Sequence, residues 1–399
     1  MREVAIVAAR RTPIGRHGGV LKTVRPDDLA ALVLKQVVQD AGLDPGEVDD
    51  VLLGAANQAG EDNRNVARMA LLLAGFPPTV PGATFNRLCG SSLETINRAF
   101  QAIRSGEADI IIAGGVESMT RAPYVLPKSA GGFPTGNAEL FDTTIGWRMV
   151  NPKLAELYYP YSMGETAENL AERFAISREE QDEFAYASHQ KAVAAQRHGL
   201  FQNEIVPVPV TDRKGNVTLV DLDEHPRPDT SLEKLGTLRA AFRKGGTVTA
   251  GNSSGINDGA AAVVLMGAEM AERRGLQPLA FVRATGVAGV DPAIMGYGPV
   301  PASQKALARV GWAIEDVERV ELNEAFAAQS LAVLRDLPFD RGLVNPTGGA
   351  IALGHPLGAS GARIMTTLLY GMQRDGQRRG LATMCIGVGQ GIATLVERL

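Results

Sequence analysis

The chain is poor in the residues that staple or anchor a protein. Among its 399 residues there are only two cysteines, Cys89 and Cys385, so stability does not come from a disulfide framework. Both thiols are free for chemistry in a reducing compartment. No apolar run is long enough to cross a bilayer, and the mean hydropathy is −0.02, which excludes a membrane span. The formal net charge is only −4, so no chain-wide basic field exists to attract nucleic acid or anionic lipid. The opening MREVAIVAARRTPIG starts directly as a strand, without a presequence, and the closing VERL is not a peroxisomal address. The expected location is therefore the cytoplasm.

What is present is a globular composition, 45% hydrophobic and 21% charged, with length enough for two or three units. Val4 to Ala9 reads as a buried strand and Asp27 to Ala41 as an amphipathic helix that ends before Gly42. The segment Gly42 to Gly54 (GLDPGEVDDVLLG) aligns without a gap on Gly311 to Asn323 (GWAIEDVERVELN). Each copy leads to a glycine-rich turn, a helix and a buried strand. In the first these are Cys89–Ser92, Leu93–Ile103 and Asp109–Gly115; in the second, Gly348–Gly361, Arg363–Met372 and Leu381–Gly389. A duplicated α/β fold follows, with uniformly apolar strands in sheets covered on both faces. The expected division is 1–119 plus 251–270 as the first half, 120–250 as an inserted loop domain, and 271–399 as the second half. The insert has a proline- and glycine-rich excursion, RAPYVLPKSAGGFPTG, then helices, then a short strand through Val206, Val208 and Val210.

Cys89 precedes a helical run, Leu93, Ile96, Ala99, Phe100 and Ile103. A helix N-terminus there would lower its thiol pKa; on this stretch alone a buried structural thiol remains open. His17, His189, His198 and His225 stand among polar residues and read as solvent-facing or capping side chains. His355, in ALGHPLG, stands in an apolar loop where an imidazole needs a partner. Zinc is excluded by the absence of paired C-x2-4-C spacing and of a fourth ligand, so no metal is expected. GVGQGIA and GHPLGASG fail as dinucleotide fingerprints. A cysteine nucleophile with a histidine base suits acyl transfer through a thioester.

The segments NRLCGSS, AGGVESM, SMGETAEN, TVTAGNSSGINDGA, NEAFAAQ, NPTGGAIALGHPLGASGAR and CIGVGQG resemble, in order, the signatures of the thiolases. DTTIGWRMVNP and CIGVGQG bring the chain near the 3-oxoadipyl-CoA branch as well as bacterial acetyl-CoA acetyltransferases. The resemblance implies two βαβαβαββ halves in a five-layer α-β-α-β-α core, and a homodimer or homotetramer. It implies an acetyl-CoA C-acetyltransferase that runs Claisen condensation and thiolysis by a ping-pong mechanism, in fatty-acid metabolism, or in aromatic degradation if the substrate is 3-oxoadipyl-CoA. Coenzyme A and its acyl esters would be substrates, with no permanently bound cofactor. By motif, Cys89 would be the nucleophile, His355 its base and Cys385 the second acid/base. Asn323 would hold a water that forms one oxyanion hole with His355, and the N–H groups of Cys89 and Gly387 would form the other. Ser254, Arg227, Met163, Met295 and Phe326 would line the coenzyme A channel; the competing readings are a loop arginine and core-filling methionines. Ser92 and CIGVGQG depart from the commonest family pattern. A ketoacyl synthase, which uses two histidines, and a non-catalytic acyl-CoA-binding protein are the alternatives.

Overall fold

The computed structural model describes residues 2–129, 131–133 and 135–399. The first half runs β1 (Val4–Arg11), α1 (Pro26–Asp40), β2 (Asp50–Gly54), α2 (Val66–Leu73), β3 (Gly82–Phe85), α3 (Ser91–Ser105) and β4 (Ile110–Ser118). An excursion follows, containing α4 (Met163–Arg173) and α5 (Arg178–Arg197), before the chain returns as β5 (Asn257–Gly267). The second half repeats the order as β6 (Ala280–Gly289), α6 (Pro299–Val310), β7 (Arg319–Leu322), α7 (Ala327–Asp336), α8 (Ser360–Asp375), β8 (Arg379–Ile386) and β9 (Gln390–Glu397).

The duplication is visible at single residues. α1 and α6 each begin on a proline in the first turn, where no N–H is needed, and each ends against a glycine in the left-handed region: Gly42 at φ +58° and Gly311 at φ +69°. A 3-10 turn then leads into β2 or β7. The first sheet is ordered β3-β2-β4-β5-β1 and the second β7-β8-β9-β6, with an isolated parallel bridge from Val320 to Val344 standing where β3 stands in the first. In both, the inner strands are parallel and the returning strand is antiparallel. The sheets join edge to edge, Ala5 opposite Phe281 and Ile6 opposite Ala280.

Strand alternation sends the side chains of each sheet into two different cores. On β5, Ala262, Val264 and Met266 face α1 and α2, whereas Ala261, Val263 and Leu265 face α3 and α8. On the second sheet, Ala382, Met384 and Ile386 share that central core, and Val320, Leu381 and Leu395 face α6 and α7. The layers are thus helix, sheet, helix, sheet, helix. No helix among the described residues is long and apolar enough to cross a membrane.

In the insert, α4 and α5 start with capping boxes, Ser162 with Glu165 and Ser177 with Glu180. Ala167, Leu170 and Ala171 of α4 pack against Phe326, Ala328 and Leu331 around α7. The expected strand is Val208–Thr211, paired with Val217–Val220 in a hairpin. The proline- and glycine-rich excursion closes through Tyr124–Val125 against Phe141–Asp142; its Ala130 and Pro134 lie outside the described residues. Two of the polar-context histidines are not solvent-facing. His189 and His225 are 2% and 7% exposed, because α5 and the segment before β5 pack polar side chains inward.

The two middle helices meet at their first turns. A Cβ added at Gly361 of α8 would stand 2.3 Å from the backbone nitrogen of Leu93 on α3. Beside it the N–H of Ala362 donates to Ser92 Oγ at 2.9 Å. Ser92 therefore caps the partner helix, satisfying a donor that its own helix leaves open. Replacing Gly361 with alanine must push the helices apart; a loss of about 1–3 kcal/mol is expected from overpacking, read as a lower urea midpoint with unchanged slope.

Candidate active site

The turn from β3 into α3 is built to aim one side chain. The N–H of Leu88 donates to Asn86 Oδ1 at 2.9 Å, and Ser91 Oγ donates to Leu88 O at 2.6 Å while accepting from the N–H of Arg87 at 3.0 Å. These bonds hold Leu88 at φ +46°, a left-handed conformation uncommon for a residue with a Cβ. Cys89 follows, half-buried and unpaired. Its own N–H and that of Gly387 lie near enough to its sulfur to favour the anion. They do not lower its pKa on balance: burial dominates and pushes the thiol up to about 11. The sequence-based expectation of a helix-stabilised thiolate is corrected accordingly. Burial works against a resting thiolate, since α3 begins only at Ser91 and desolvation penalises the anion more than the two N–H groups reward it.

His355 occupies the matching turn of the second half, ahead of α8. Its N–H donates to Asn257 Oδ1 at 2.9 Å, and Gly354 before it, at φ +107°, packs on the Asn257 amide. The imidazole Nδ1 lies 2.6 Å from Ser360 Oγ. That hydroxyl gives its hydrogen to Pro356 O at 2.8 Å, so it accepts from Nδ1–H and leaves the lone pair on Nε2. Nε2 faces the Asn323 side-chain nitrogen at 3.5 Å. Burial, reinforced by the Arg363 charge, pushes the His355 pKa down to about 3. The ring is a neutral base at physiological pH.

Cys385 is buried at the end of β8, and burial followed by the neighbouring Cys89 drives its pKa far above the usual thiol range. It shares an apolar cluster with Met163, Met295 and Phe326. The Met163 sulfur would be 3.4 Å from a Cβ on Gly387. The Ser254 N–H donates to Ala325 O at 2.9 Å, so Ser254 flanks the same loop as Phe326. The structure thus sets Cys89 beside Gly387 and Cys385, and His355 beside Asn323, whose own N–H donates to Thr383 O two residues before Cys385; Met163, Met295 and Phe326 cluster with Cys385, and Ser254 is bonded to the loop that carries Phe326. Arg227 stands apart. Its side chain is exposed, and its N–H donates to His189 Nδ1 at 3.2 Å.

Three residues at the site went unread in the sequence. Ser360 and Asn257 fix the ring and the backbone of His355; the signal was a hydroxyl five residues after an isolated histidine. Glu117, in AGGVESM, accepts N–H groups from Ala56 at 2.9 Å, Asn57 at 3.1 Å and Gly358 at 2.7 Å. It ties the turn after β2 to the turn that carries His355.

The arrangement offers a neutral imidazole with its lone pair on Nε2 and two thiols close to each other, the kinds of group that acyl transfer through a thioester uses. The family model of the thiolase N-terminal domain matches residues 4–269, and that of the thiolase C-terminal domain matches residues 276–398. The chain belongs to the thiolase family. Thiolases are acyltransferases. A 3-oxoadipyl-CoA/3-oxo-5,6-dehydrosuberyl-CoA thiolase of Escherichia coli is 56% identical to this thiolase over the whole of both chains. A beta-ketoadipyl-CoA thiolase of Pseudomonas aeruginosa is 57% identical, again over the whole of both. Among solved structures, the acetyl-CoA acetyltransferase of Bacillus anthracis has a TM-score of 0.94 at 45% identity, covering 100% of this chain and 99% of that one. Human mitochondrial 3-ketoacyl-CoA thiolase has a TM-score of 0.93 at 41% identity, with the same coverage.

Two outcomes are expected of this site. A thiol with a raised pKa gains thiolate as pH rises, so alkylation of Cys89 by iodoacetamide should still be accelerating beyond about pH 9; a plateau near neutrality would mean a resting ion pair with His355. Ser360→Ala leaves the Nδ1–H without its acceptor, and kcat/KM should fall about 5- to 100-fold, the worth of one buried unsatisfied donor.

Proposed function

We propose that this thiolase cleaves 3-oxoacyl-CoA with coenzyme A, and runs the reverse Claisen condensation, through an acyl group carried on Cys89. In thiolysis, Nε2 of His355 takes the Cys89 proton and the sulfur attacks the 3-oxo carbon. The bond between C2 and C3 breaks, and Cys385 gives its proton to the carbanion of the departing acetyl-CoA. Incoming coenzyme A then loses its thiol proton to the Cys385 thiolate and displaces the acyl group from Cys89, whose sulfur takes its proton back from His355. The N–H groups of Cys89 and Gly387 stabilise the tetrahedral oxyanion on the acyl-cysteine. Protonated His355, with a water held by Asn323, serves the thioester enolate. Each such donor is typically worth about 2.7–4 kcal/mol.

The observation that carries this reading is that two backbone N–H groups lie near the Cys89 sulfur, with a second thiol close enough for Cys89 to raise its pKa. The resting protonation states support it: a neutral thiol, a neutral imidazole with its lone pair on Nε2, and a Cys385 still holding the proton that thiolysis requires. Coenzyme A and its esters enter as substrates along Met163, Met295, Phe326 and Ser254, with Arg227 toward the nucleotide end, and the chemistry needs no resident cofactor.

The preferred acyl chain is that of 3-oxoadipyl-CoA. Relatives of that name match at 52–57% identity over the whole of this chain. The same reading includes a homodimer or homotetramer in the cytoplasm. Apolar side chains left exposed on the insert, among them Tyr124, Leu126, Leu140 and Leu157, suit burial against another copy.

Splitting the two thiols tests the assignment. Cys89→Ala should lose thiolysis by about 10⁴-fold or more, as removal of a nucleophile does. Cys385→Ala should still accept acetyl from acetyl-CoA, accumulating an acetylated Cys89 visible by mass spectrometry, yet fail in condensation. Acetylation of the Cys89→Ala protein at full rate would remove Cys89 from the mechanism.

A further inference from the structure

Residues 141–149 form a strap fastened at two points, and both points border the Cys89 turn. At one end Thr143 accepts from Asn57 Nδ2, at 2.8 Å through its hydroxyl and 3.3 Å through its carbonyl. The N–H of Asn57 is held by Glu117 at 3.1 Å, and the neighbouring Ala56 O accepts from Asn86 Nδ2 at 2.9 Å, three residues before Cys89. At the other end the Trp147 indole N–H donates to Tyr161 O at 2.9 Å. Tyr161 lies two residues before Met163, whose sulfur abuts Gly387, the donor to the Cys89 sulfur. The dipeptide Trp147–Arg148 hangs from the second fastening. It is bracketed by two left-handed residues, Gly146 at φ +83° and Met149 at φ +52°, which fix how it is presented.

Arg148 is half-buried and has no hydrogen-bond or ion-pair partner among the described residues. The other arginines of the insert are either paired, Arg121 with Glu61, Arg178 with Asp182 and Arg243 with Glu172, or exposed, as Arg173, Arg197, Arg213, Arg227 and Arg239 are. A half-buried guanidinium without a carboxylate, on a strap whose fastenings lead back to the Cys89 turn and to Met163, suits a substrate that brings its own. A 3-oxoadipyl chain does, because its far end is a carboxylate that is costly to desolvate unpaired. The planar fork of arginine can meet both of its oxygens at once.

We infer that Arg148 recognises the far carboxylate of a dicarboxylic 3-oxoacyl chain, and that the strap carrying it sets acyl selectivity. The inference rests on the 3-oxoadipyl reading above. Its rival is contact with a phosphate of coenzyme A, which every substrate of the enzyme shares.

The test compares thiolysis of 3-oxoadipyl-CoA with that of 3-oxohexanoyl-CoA, a chain of equal length ending in methyl, in the parent, Arg148→Met and Arg148→Lys proteins. The parent should prefer the dicarboxylic ester. In Arg148→Met the ratio of the two kcat/KM values should fall about 10- to 100-fold, the worth of a charge-assisted hydrogen-bonded pair. The loss should appear chiefly in KM for 3-oxoadipyl-CoA, and Arg148→Lys should recover part of it. A parent without preference overturns the 3-oxoadipyl reading itself. A parent preference that survives in Arg148→Met overturns the role of Arg148 alone. Equal losses on both esters, with a raised KM for coenzyme A, also overturn it and assign Arg148 to a phosphate.

Discussion

The contact on which the site depends is the crossing of α3 and α8 at their first turns. Two glycine-sized gaps make it possible. Gly361 lets the backbone of Leu93 approach, and Gly115 of β4 admits Gly358 O, which would stand 2.1 Å from a Cβ there. Because the helices meet at their beginnings, the turns that precede them also meet, and those turns carry Cys89 and His355. The Ser92 hydroxyl on the Ala362 N–H locks the crossing with a polar bond that has a single geometry, where apolar packing alone would tolerate sliding. The placement of the Cys89 turn relative to the His355 turn is thus set in the core.

Placing the chemistry at that depth decides its electrostatics. Burial is the largest influence on Cys89, Cys385 and His355 alike, and in each case it favours the neutral form. Burial thus works against a resting ion pair among these three groups. Charge appears only as bonds change, where backbone N–H groups and the imidazole can meet it without reorganisation. Glu117 fits this frame: burial pushes its carboxyl up to about 7 although N–H groups of two turns bind it, and when ionised it further disfavours a thiolate at Cys89. Arg363 acts in the opposite sense on the base: it is buried without a direct hydrogen-bond partner and helps hold His355 neutral.

The fold was legible in the sequence because its repeat is written in residues that have one physical use. A glycine after a helix, a proline in the first turn and an acid before Val-x-x-Val recur at the same offsets, and the structure answers with matched caps at Gly42 and Gly311 and matched strands. Cys89, His355 and Cys385 could be picked out as candidates for a related reason: cysteine and histidine are scarce here, so each occurrence could be weighed. The protonation of Cys89 was misread, since a helix N-terminus is visible in a pattern whereas desolvation depends on every neighbour. His189 and His225 were misread similarly, because polar neighbours in sequence do not show whether a helix turns them inward. Ser360 and Asn257 escaped because serine and asparagine are common, and only geometry tells which of them holds a ring.

Duplication also explains the division of labour between the halves. The long excursion of the first half lies between β4 and β5, whereas β8 and β9 are joined by Gly387, Val388 and Gly389 alone. In that short turn Val388 and Gly389 sit at φ +63° and +81°. A β-branched residue strains there, yet the turn aims the Gly387 N–H at Cys89. A longer connection could not hold a donor so tightly, and a shorter one in the first half could not carry a strap over the acyl group. One copy of the connection therefore gives the oxyanion a rigid contact, and the other gives the substrate an adaptable wall. An ancestral repeat with equal connections would have had one or the other, so the asymmetry between two otherwise matching halves allows acyl specificity to change without disturbing the proton-transfer geometry.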